Sequence, residues 1–184
     1  MENKNTSVLY NGLIWGLILG FAGIIYNVIL YMLDQNLNQN LGYAGILITL
    51  VLLILGTRSF RDSIRGGVLP FGQAFGFGMV VIVVSSVIGI VYAYLLWTVI
   101  DPDILVKMND MQVEKMLERG LPEDQVEQAM TVASKFMKPG VMAAMGLVTS
   151  IFFGTILALI IAAIFKRDED KADPTVEEAS ETTE

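Results

Sequence analysis

The sequence predicts an all-α membrane protein with four transmembrane helices and an extracytoplasmic helical hairpin between the third and the fourth. Composition is the first reason: 54% of the 184 residues are hydrophobic and the mean hydropathy is +0.59, which exceeds what a soluble domain of this size needs. Charge is the second: residues 5–33, 35–57, 66–100 and 139–165 contain no Asp, Glu, Lys or Arg. Each run can supply the roughly 20 residues that cross a bilayer as a helix.

We place the first two transmembrane helices at residues 10–33 and 42–55. Their connection, residues 34–41, carries no basic residue, whereas the connection to the third helix carries three: Arg58, Arg61 and Arg65. Short loops rich in Lys and Arg remain on the cytoplasmic side of a membrane. We therefore expect both chain termini in the cytoplasm.

A glycine-rich segment begins the third transmembrane helix, which we place at residues 70–100. Its letters "GVLPFGQA" start like a phosphate-binding loop, but Gln73 and Ala74 occupy the positions where that motif needs a lysine and a hydroxyl. Nucleotide binding is therefore not expected. We interpret the paired glycines as a turn and Pro70 as the first turn of the helix.

The hairpin, residues 102–138, contains two amphipathic helical patterns separated by Gly120, with Asp101 as the expected N-cap of the first. Methionines give the first helix an apolar side, which either binds a partner or packs on the second helix or the membrane surface. One face of the second helix carries five apolar residues: Val126, Met130, Ala133, Phe136 and Met137.

The fourth transmembrane helix is expected at residues 139–165, which completes a membrane domain over residues 1–166. Residues 167–184 form the remaining segment, in which eight acidic residues follow Arg167 against the single Lys171. Such a segment lacks the apolar residues of a core, so we expect a disordered acidic cytoplasmic tail. With few basic residues elsewhere, nucleic-acid binding is not expected.

Small residues recur every four positions in the first and fourth transmembrane helices, which lets helix backbones approach closely. We expect helices one and four to pack against each other, or a dimer to form through one of them. The residues proposed for this helix packing are Gly12, Gly16 and Gly20 in the first helix and Gly146, Ser150, Gly154 and Ala158 in the fourth.

Chemical groups for catalysis are scarce. The chain has no cysteine and no histidine, and the four uncharged runs contain no acidic or basic side chain. We expect no enzyme activity, no metal site and no cofactor. Asn27, Gln73 and the Ser85–Ser86 pair either bond neighbouring helices or line a wettable cavity.

Residues 60–105, "FRDSIRGGVLPFGQAFGFG" through "IDPDIL", resemble the core of a bacterial family of small multi-pass membrane proteins, the domain-of-unknown-function family 4199. The resemblance covers about residues 8–166 and implies four transmembrane helices and a location in the bacterial inner membrane. That family has no established activity, so the resemblance assigns no site residue. Its F-x-x-A-F-x-x-G pattern is formed by Phe71, Ala74, Phe75 and Gly78.

Two functions fit these observations. The first is a non-enzymatic structural or interaction subunit that contacts the lipid bilayer and a membrane partner, or forms a homo-oligomer, through the small-residue stripes and the hairpin. The second is an oligomeric transporter or channel for a small neutral solute. A tightly packed dry bundle would favour the first function. A wettable cavity at Asn27, Gln73, Ser85 and Ser86 would favour the second.

Overall fold

The computed structural model describes residues 4–167, which form six α-helices, two π-helical turns and short connections. Four of the helices are long and apolar enough to cross a membrane: α1, α2, α3 and α6. The helices are α1 (Lys4–Met32), α2 (Gln39–Ser59), α3 (Phe71–Leu95), α4 (Ile104–Glu118), α5 (Glu123–Ser134) and α6 (Pro139–Phe165). The π-helical turns Phe60–Ile64 and Leu96–Ile100 extend α2 and α3.

Prolines and glycines mark the helix boundaries. Pro70 and Pro122 are the residues before the first turns of α3 and α5, and Pro139 begins α6. Gly120 has a φ of 78°, a left-handed conformation that ends α4 and turns the chain into α5. Because the residue before a helix needs no intrahelical N–H bond, proline is well placed there.

Helix α2 is longer than residues 42–55. It begins at Gln39, where the side chain of Asn38 accepts a hydrogen bond from the Asn40 backbone N–H, and it continues past Arg58. Positive side chains are favourable at the C-terminal end of a helix, so the arginine does not end it.

The expectation that Asp101 caps α4 is wrong. The residue before α4 is Asp103, which makes no side-chain capping bond. The Asp101 carboxylate instead lies 3.2 Å from the Lys107 ammonium, which donates a hydrogen bond to it. This hydrogen bond and the negative charge of Asp101 raise the pKa of Lys107.

Helix α3 is the centre of the bundle. It packs along α1 on one side and along α6 on the other, and α2 contacts α1, α6 and α3 more sparsely. The expectation that the first and fourth transmembrane helices pack on each other is therefore wrong for the described chain. Both pack on the third, because its branched side chains fill the grooves that their small residues leave.

The helices run alternately up and down, which gives the bundle two distinct ends. We call the end formed by the starts of α1 and α3 and the ends of α2 and α6 the basic end. The opposite end, where α4 and α5 pack as a helical hairpin, is the hairpin end. Leu69 and Arg167 exchange two backbone hydrogen bonds of 2.9 Å at the basic end. Most of the predicted acidic tail, residues 168–184, lies outside the described residues.

Candidate ligand-binding cavity

The glycine stripe of α1 lies directly against α3. A Cβ at Gly12 would lie 2.7 Å from Val80 Cγ1, and a Cβ at Gly16 would lie 2.7 Å from Val84 Cβ. Gly20 repeats this contact with Ile88, one turn further along each helix. Because real side chains do not approach so closely, these positions admit only glycine without a shift of the helices.

The stripe of α6 contacts the opposite side of α3 in antiparallel register. Gly146 lies beside Ile90, Gly154 beside Ile82, and Ala158 beside Gly78. Continuing the same register places Ser150 of α6 level with Ser86 of α3. Both side chains are small, so they leave space between the two helices at this level, where larger residues would fill it. Ser150 is exposed and lines a cavity, whereas Gly154 and Ala158 are buried.

That cavity has a volume of about 730 Å³ and lies among α1, α2, α3 and α6. Its size falls within the range of sites that hold small organic molecules. The cavity begins near the middle of the bundle and extends toward the hairpin end. Its apolar lining includes Leu19, Ile24, Ile82, Leu96, Phe153 and Leu157, and its polar lining includes Asn27, Thr49, Ser85, Ser86, Tyr92, Trp97, Thr149 and Ser150.

Two glycines keep the cavity open. A Cβ added at Gly23 or at Gly89 would meet no atom within 4 Å, although both residues line the cavity. Gly12 and Gly16, by contrast, have no open space beside them, because side chains of α3 lie directly against their backbone. Gly23 and Gly89 are therefore positions where a larger side chain would fill the cavity without pushing helices apart.

One hydrogen bond between helices crosses the cavity wall. The Tyr92 hydroxyl of α3 donates to Asn27 Oδ1 of α1 at 3.0 Å. Thr49 and Ser85 instead donate to the backbone carbonyls of Gly45 and Ile82 in their own helices. These two hydroxyl groups are thus held by bonds within their own helices, and the cavity lining includes no Asp, Glu, Lys or Arg.

Gln73 does not belong to this group. It lies in the first turn of α3 at the basic end, and its Oε1 is buried without a hydrogen-bond partner in the described chain. Asn27, Ser85 and Ser86 line the cavity as a set without it. The polar residues expected to form one site are therefore divided between the two ends of the bundle.

The half of the bundle nearer the basic end is filled by large apolar side chains. Leu53, Leu69 and Phe77 are completely buried, and the ring of Phe60 stacks on Phe77 with 4.7 Å between centroids. We call these four residues the plug. Thr57, also fully buried beside them, donates its hydroxyl to the Leu53 carbonyl at 2.8 Å. The cavity is therefore closed toward the basic end.

The two ends of the bundle also differ in the sign of their charge. Among the described residues, the basic end carries one acidic residue, Asp62, which pairs with Arg58 and Arg61. Its six basic residues are Lys4, Arg58, Arg61, Arg65, Lys166 and Arg167. Guanidinium groups also lie over rings there, Arg61 over Phe165 and Arg65 over Phe60. At the hairpin end acidic residues outnumber basic ones. No group of three Asp or Glu residues in the described chain is arranged to hold a metal ion.

A second, smaller groove of about 420 Å³ lies between the hairpin and the first turns of α6. Val126 is buried as the apolar pattern of α5 predicts, but Phe136 is 52% exposed because α5 already ends at Ser134. The groove residues are Leu105, Met108, Gln112, Ala133, Phe136, Met137, Met142 and Met145.

Sequence reasoning missed the glycines that open the cavity and the role of Tyr92. Gly23 lies three residues after Gly20 and so falls outside the four-residue repeat, which is the one signal that it serves another purpose. Tyrosine is common at membrane interfaces, so its residue type alone does not indicate that Tyr92 bonds another helix inside the bundle. Its bond to Asn27 depends on the parallel register of α1 and α3, which the sequence does not reveal.

Comparison with known proteins gives a family and no activity. The model of the family described as "Protein of unknown function (DUF4199)" matches residues 14–167, which is most of the chain. No curated protein and no solved structure matches. The matched range contains the plug, the cavity and the hairpin. The chain is a member of the DUF4199 family of proteins of unknown function.

Proposed function

We propose that the chain is a non-catalytic integral membrane protein that binds an uncharged, mainly apolar small molecule among α1, α2, α3 and α6. The observation that carries this proposal is the cavity of about 730 Å³, which is lined by apolar and neutral polar side chains and closed at one end. Small-molecule sites combine such apolar walls with a few placed polar groups.

The plug favours binding over conduction. A channel needs a continuous path for water or solute through the bundle, and the completely buried Leu53, Leu69 and Phe77 fill that path near the basic end. A transported solute would need these helices to separate. The proposed site is therefore a pocket open on one side in this conformation.

The chemistry of the lining favours binding over catalysis. The lining includes no Asp, Glu, Lys or Arg, and the chain contains no Cys or His. Hydroxyl groups of Ser and Thr need a neighbouring base to become nucleophiles. Thr49 and Ser85 instead donate to backbone carbonyls.

We further propose that the basic end faces the cytoplasm of a bacterial inner membrane and that the hairpin lies outside. The six basic residues at one end support this orientation through the preference of Lys and Arg for the cytoplasmic side of a membrane.

Since the chain has no cysteine, the labelling of introduced single cysteines can show which side of the membrane each end faces. A Gln128→Cys variant should react with an impermeant maleimide in intact cells, and Ser63→Cys should react only after lysis. Reversed labelling would overturn the orientation.

Native mass spectrometry after gentle extraction tests the proposed binding. Wild-type protein should carry a neutral bound molecule, and Gly89→Leu should lose it because leucine fills the cavity. Gly72→Leu is the matched control, since Gly72 belongs to the same helix, has open space around it and does not line the cavity. Gly23→Leu repeats the test from α1. Retention of the bound molecule in both filled variants, at unchanged thermal stability, would contradict the proposal.

A second candidate function is an interaction subunit that binds a membrane partner through the hairpin. It is favoured by the methionine-lined groove and by the exposed side chains of Val106, Val132 and Phe136. Methionine surfaces adapt to partners of different shape. A defined complex with another protein that Phe136→Asp abolishes and Gly89→Leu preserves would support this candidate.

A further inference from the structure

We infer that the occupant of the cavity is an uncharged amphiphile, with one hydroxyl or carbonyl group at Asn27 and Tyr92 and an apolar chain directed toward the plug. This inference rests on the proposed function, because it specifies what the same cavity binds. It assigns both a chemical class and an orientation to the ligand.

The lining changes character along the bundle axis. Nearest the plug the walls are Ile82 of α3 and Leu157 of α6, whose side chains offer only apolar atoms. The Ser85–Ser86 pair follows about one turn later, where the Ser85 hydroxyl donates to the Ile82 carbonyl of its own helix. Asn27 and Tyr92 follow about three helical turns beyond Ile82, closer to the hairpin end. The rise of 1.5 Å per residue places Tyr92 about 15 Å beyond Ile82. An occupant of this length meets apolar side chains at one end and hydrogen-bonding groups at the other.

The polar groups at the hairpin end suit an uncharged oxygen. Asn27 Oδ1 already accepts the Tyr92 proton, and its amide nitrogen has no hydrogen-bond partner within residues 4–167. That nitrogen can donate to a ligand oxygen, and the Tyr92 oxygen can accept from a ligand hydroxyl. Trp97 adds an indole N–H to the same part of the lining.

Absence of charge in the lining selects against ionic ligands. A carboxylate or ammonium moved into an apolar cavity loses its hydration and needs an opposite charge to compensate. No acidic or basic side chain lines the cavity. A fatty acid anion or a long-chain amine of the same length should therefore bind more weakly than the corresponding alcohol.

Competition in lipid nanodiscs tests the chemical class with the probes dodecanol, dodecane and dodecanoate. Dodecanol should bind wild-type protein more tightly than either of the others. Tyr92→Phe and Asn27→Leu should each weaken dodecanol binding roughly threefold to tenfold, the value of one or two hydrogen bonds, and leave dodecane binding unchanged. Equal loss for both probes would show a structural effect only, and unchanged dodecanol binding in both variants would overturn the inference.

Tryptophan fluorescence tests the orientation. Trp97 lines the cavity, and Trp15 contacts Gly56 outside it, so a Trp15→Phe variant leaves one reporter. Bromine is a contact quencher of tryptophan. Dodecanol with bromine beside the hydroxyl group should quench Trp97 several times more strongly than dodecanol with bromine on the terminal carbon.

The outcomes separate this inference from the function on which it rests. If, in the Trp15→Phe chain, the two brominated probes quench equally and adding Gly89→Leu abolishes the quenching, the cavity binds ligand without the inferred orientation. If Gly89→Leu leaves quenching by both probes unchanged, the probes lie in the surrounding lipid and the proposed function itself fails. Strong quenching from the hydroxyl end that Gly89→Leu removes would support both.

Discussion

The two halves of the bundle are built from the same four helices but differ in what lies between them. Toward the basic end, large side chains such as Phe60 and Phe77 are buried in a continuous core. Toward the hairpin end, the same helices enclose a cavity of about 730 Å³. The difference arises from which residues face each other: large apolar side chains meet near the basic end, and many small or polar residues meet around the cavity.

Glycines have opposite consequences at different positions in the bundle. Gly12 and Gly16 meet the branched side chains of Val80 and Val84, so the space that each glycine leaves on α1 is filled by a side chain of α3. Gly23 and Gly89 meet nothing, so their missing side chains remain as space. A glycine therefore closes a helix pair or opens a cavity according to the side chain opposite it.

The comparison predicts its largest contrast for leucine substitutions on α1. Gly16→Leu should lower the free energy of unfolding by about 3 kcal/mol, because even a Cβ there would lie 2.7 Å from Val84 Cβ. Gly23→Leu, two turns away, should change it by less than about 0.5 kcal/mol, because its new side chain enters open space. Denaturant titration in detergent measures both, and equal destabilisation would contradict the division into two halves.

Phenylalanine truncation should give the next largest contrast. Phe77→Ala removes a completely buried ring that stacks on Phe60, and should cost about 3–5 kcal/mol. Phe153→Ala removes a ring that is 59% exposed beside the cavity, and should cost less than about 1 kcal/mol. Similar melting temperatures for the two variants would show that the plug is not the stable half.

The smallest effect is expected at the hydrogen bond that joins α1 and α3. Tyr92→Phe removes the hydroxyl that donates to Asn27 and should cost about 0.6 kcal/mol, the average for such bonds in membrane proteins. Tyr94→Phe, on an exposed side of the same helix, provides the control and should have no measurable effect. A larger cost at Tyr94 than at Tyr92 would contradict the assigned bond.

Much of the fold could be predicted from the sequence. Runs without charge indicated the four long helices, and Pro70, Pro122, Pro139 and Gly120 indicated where helices begin or end. These features depend on local chemistry, which the order of residues contains. The paired glycines, Gly66 and Gly67, both have positive φ, as a turn between α2 and α3 requires.

The arrangement of the helices could be predicted only in part. A repeat of glycines shows which side of a helix allows close approach, but not which helix approaches it. Both stripes therefore suggested contact between the first and fourth transmembrane helices, and both contact α3 instead. A dimer through a stripe stays a prediction, although the glycines that contact α3 are already covered within the chain.

The cavity itself was the least predictable feature. It is formed by small or polar residues of different helices, such as Gly23, Gly89 and Ser150, that are adjacent only after folding. The up-and-down helix order alone separates Asn27 from Gln73, since the first lies late in α1 and the second early in α3. Their shared residue type suggested one site for both amides, and the helix topology places them toward opposite ends of the bundle.

Thiol accessibility tests the central claim most directly, because it compares the two halves without a ligand. Ser86→Cys places a thiol in the cavity, and Thr57→Cys places one beside the plug, where Thr57 is completely buried. Both changes replace a hydroxyl with a thiol in a chain that has no other cysteine. We predict that a small neutral methanethiosulfonate modifies Ser86→Cys and that Gly89→Leu in the same chain blocks the reaction, while Thr57→Cys remains unmodified. Equal modification of the two thiols, or reaction at Thr57→Cys alone, would contradict a bundle that is closed at its basic end and open toward its hairpin.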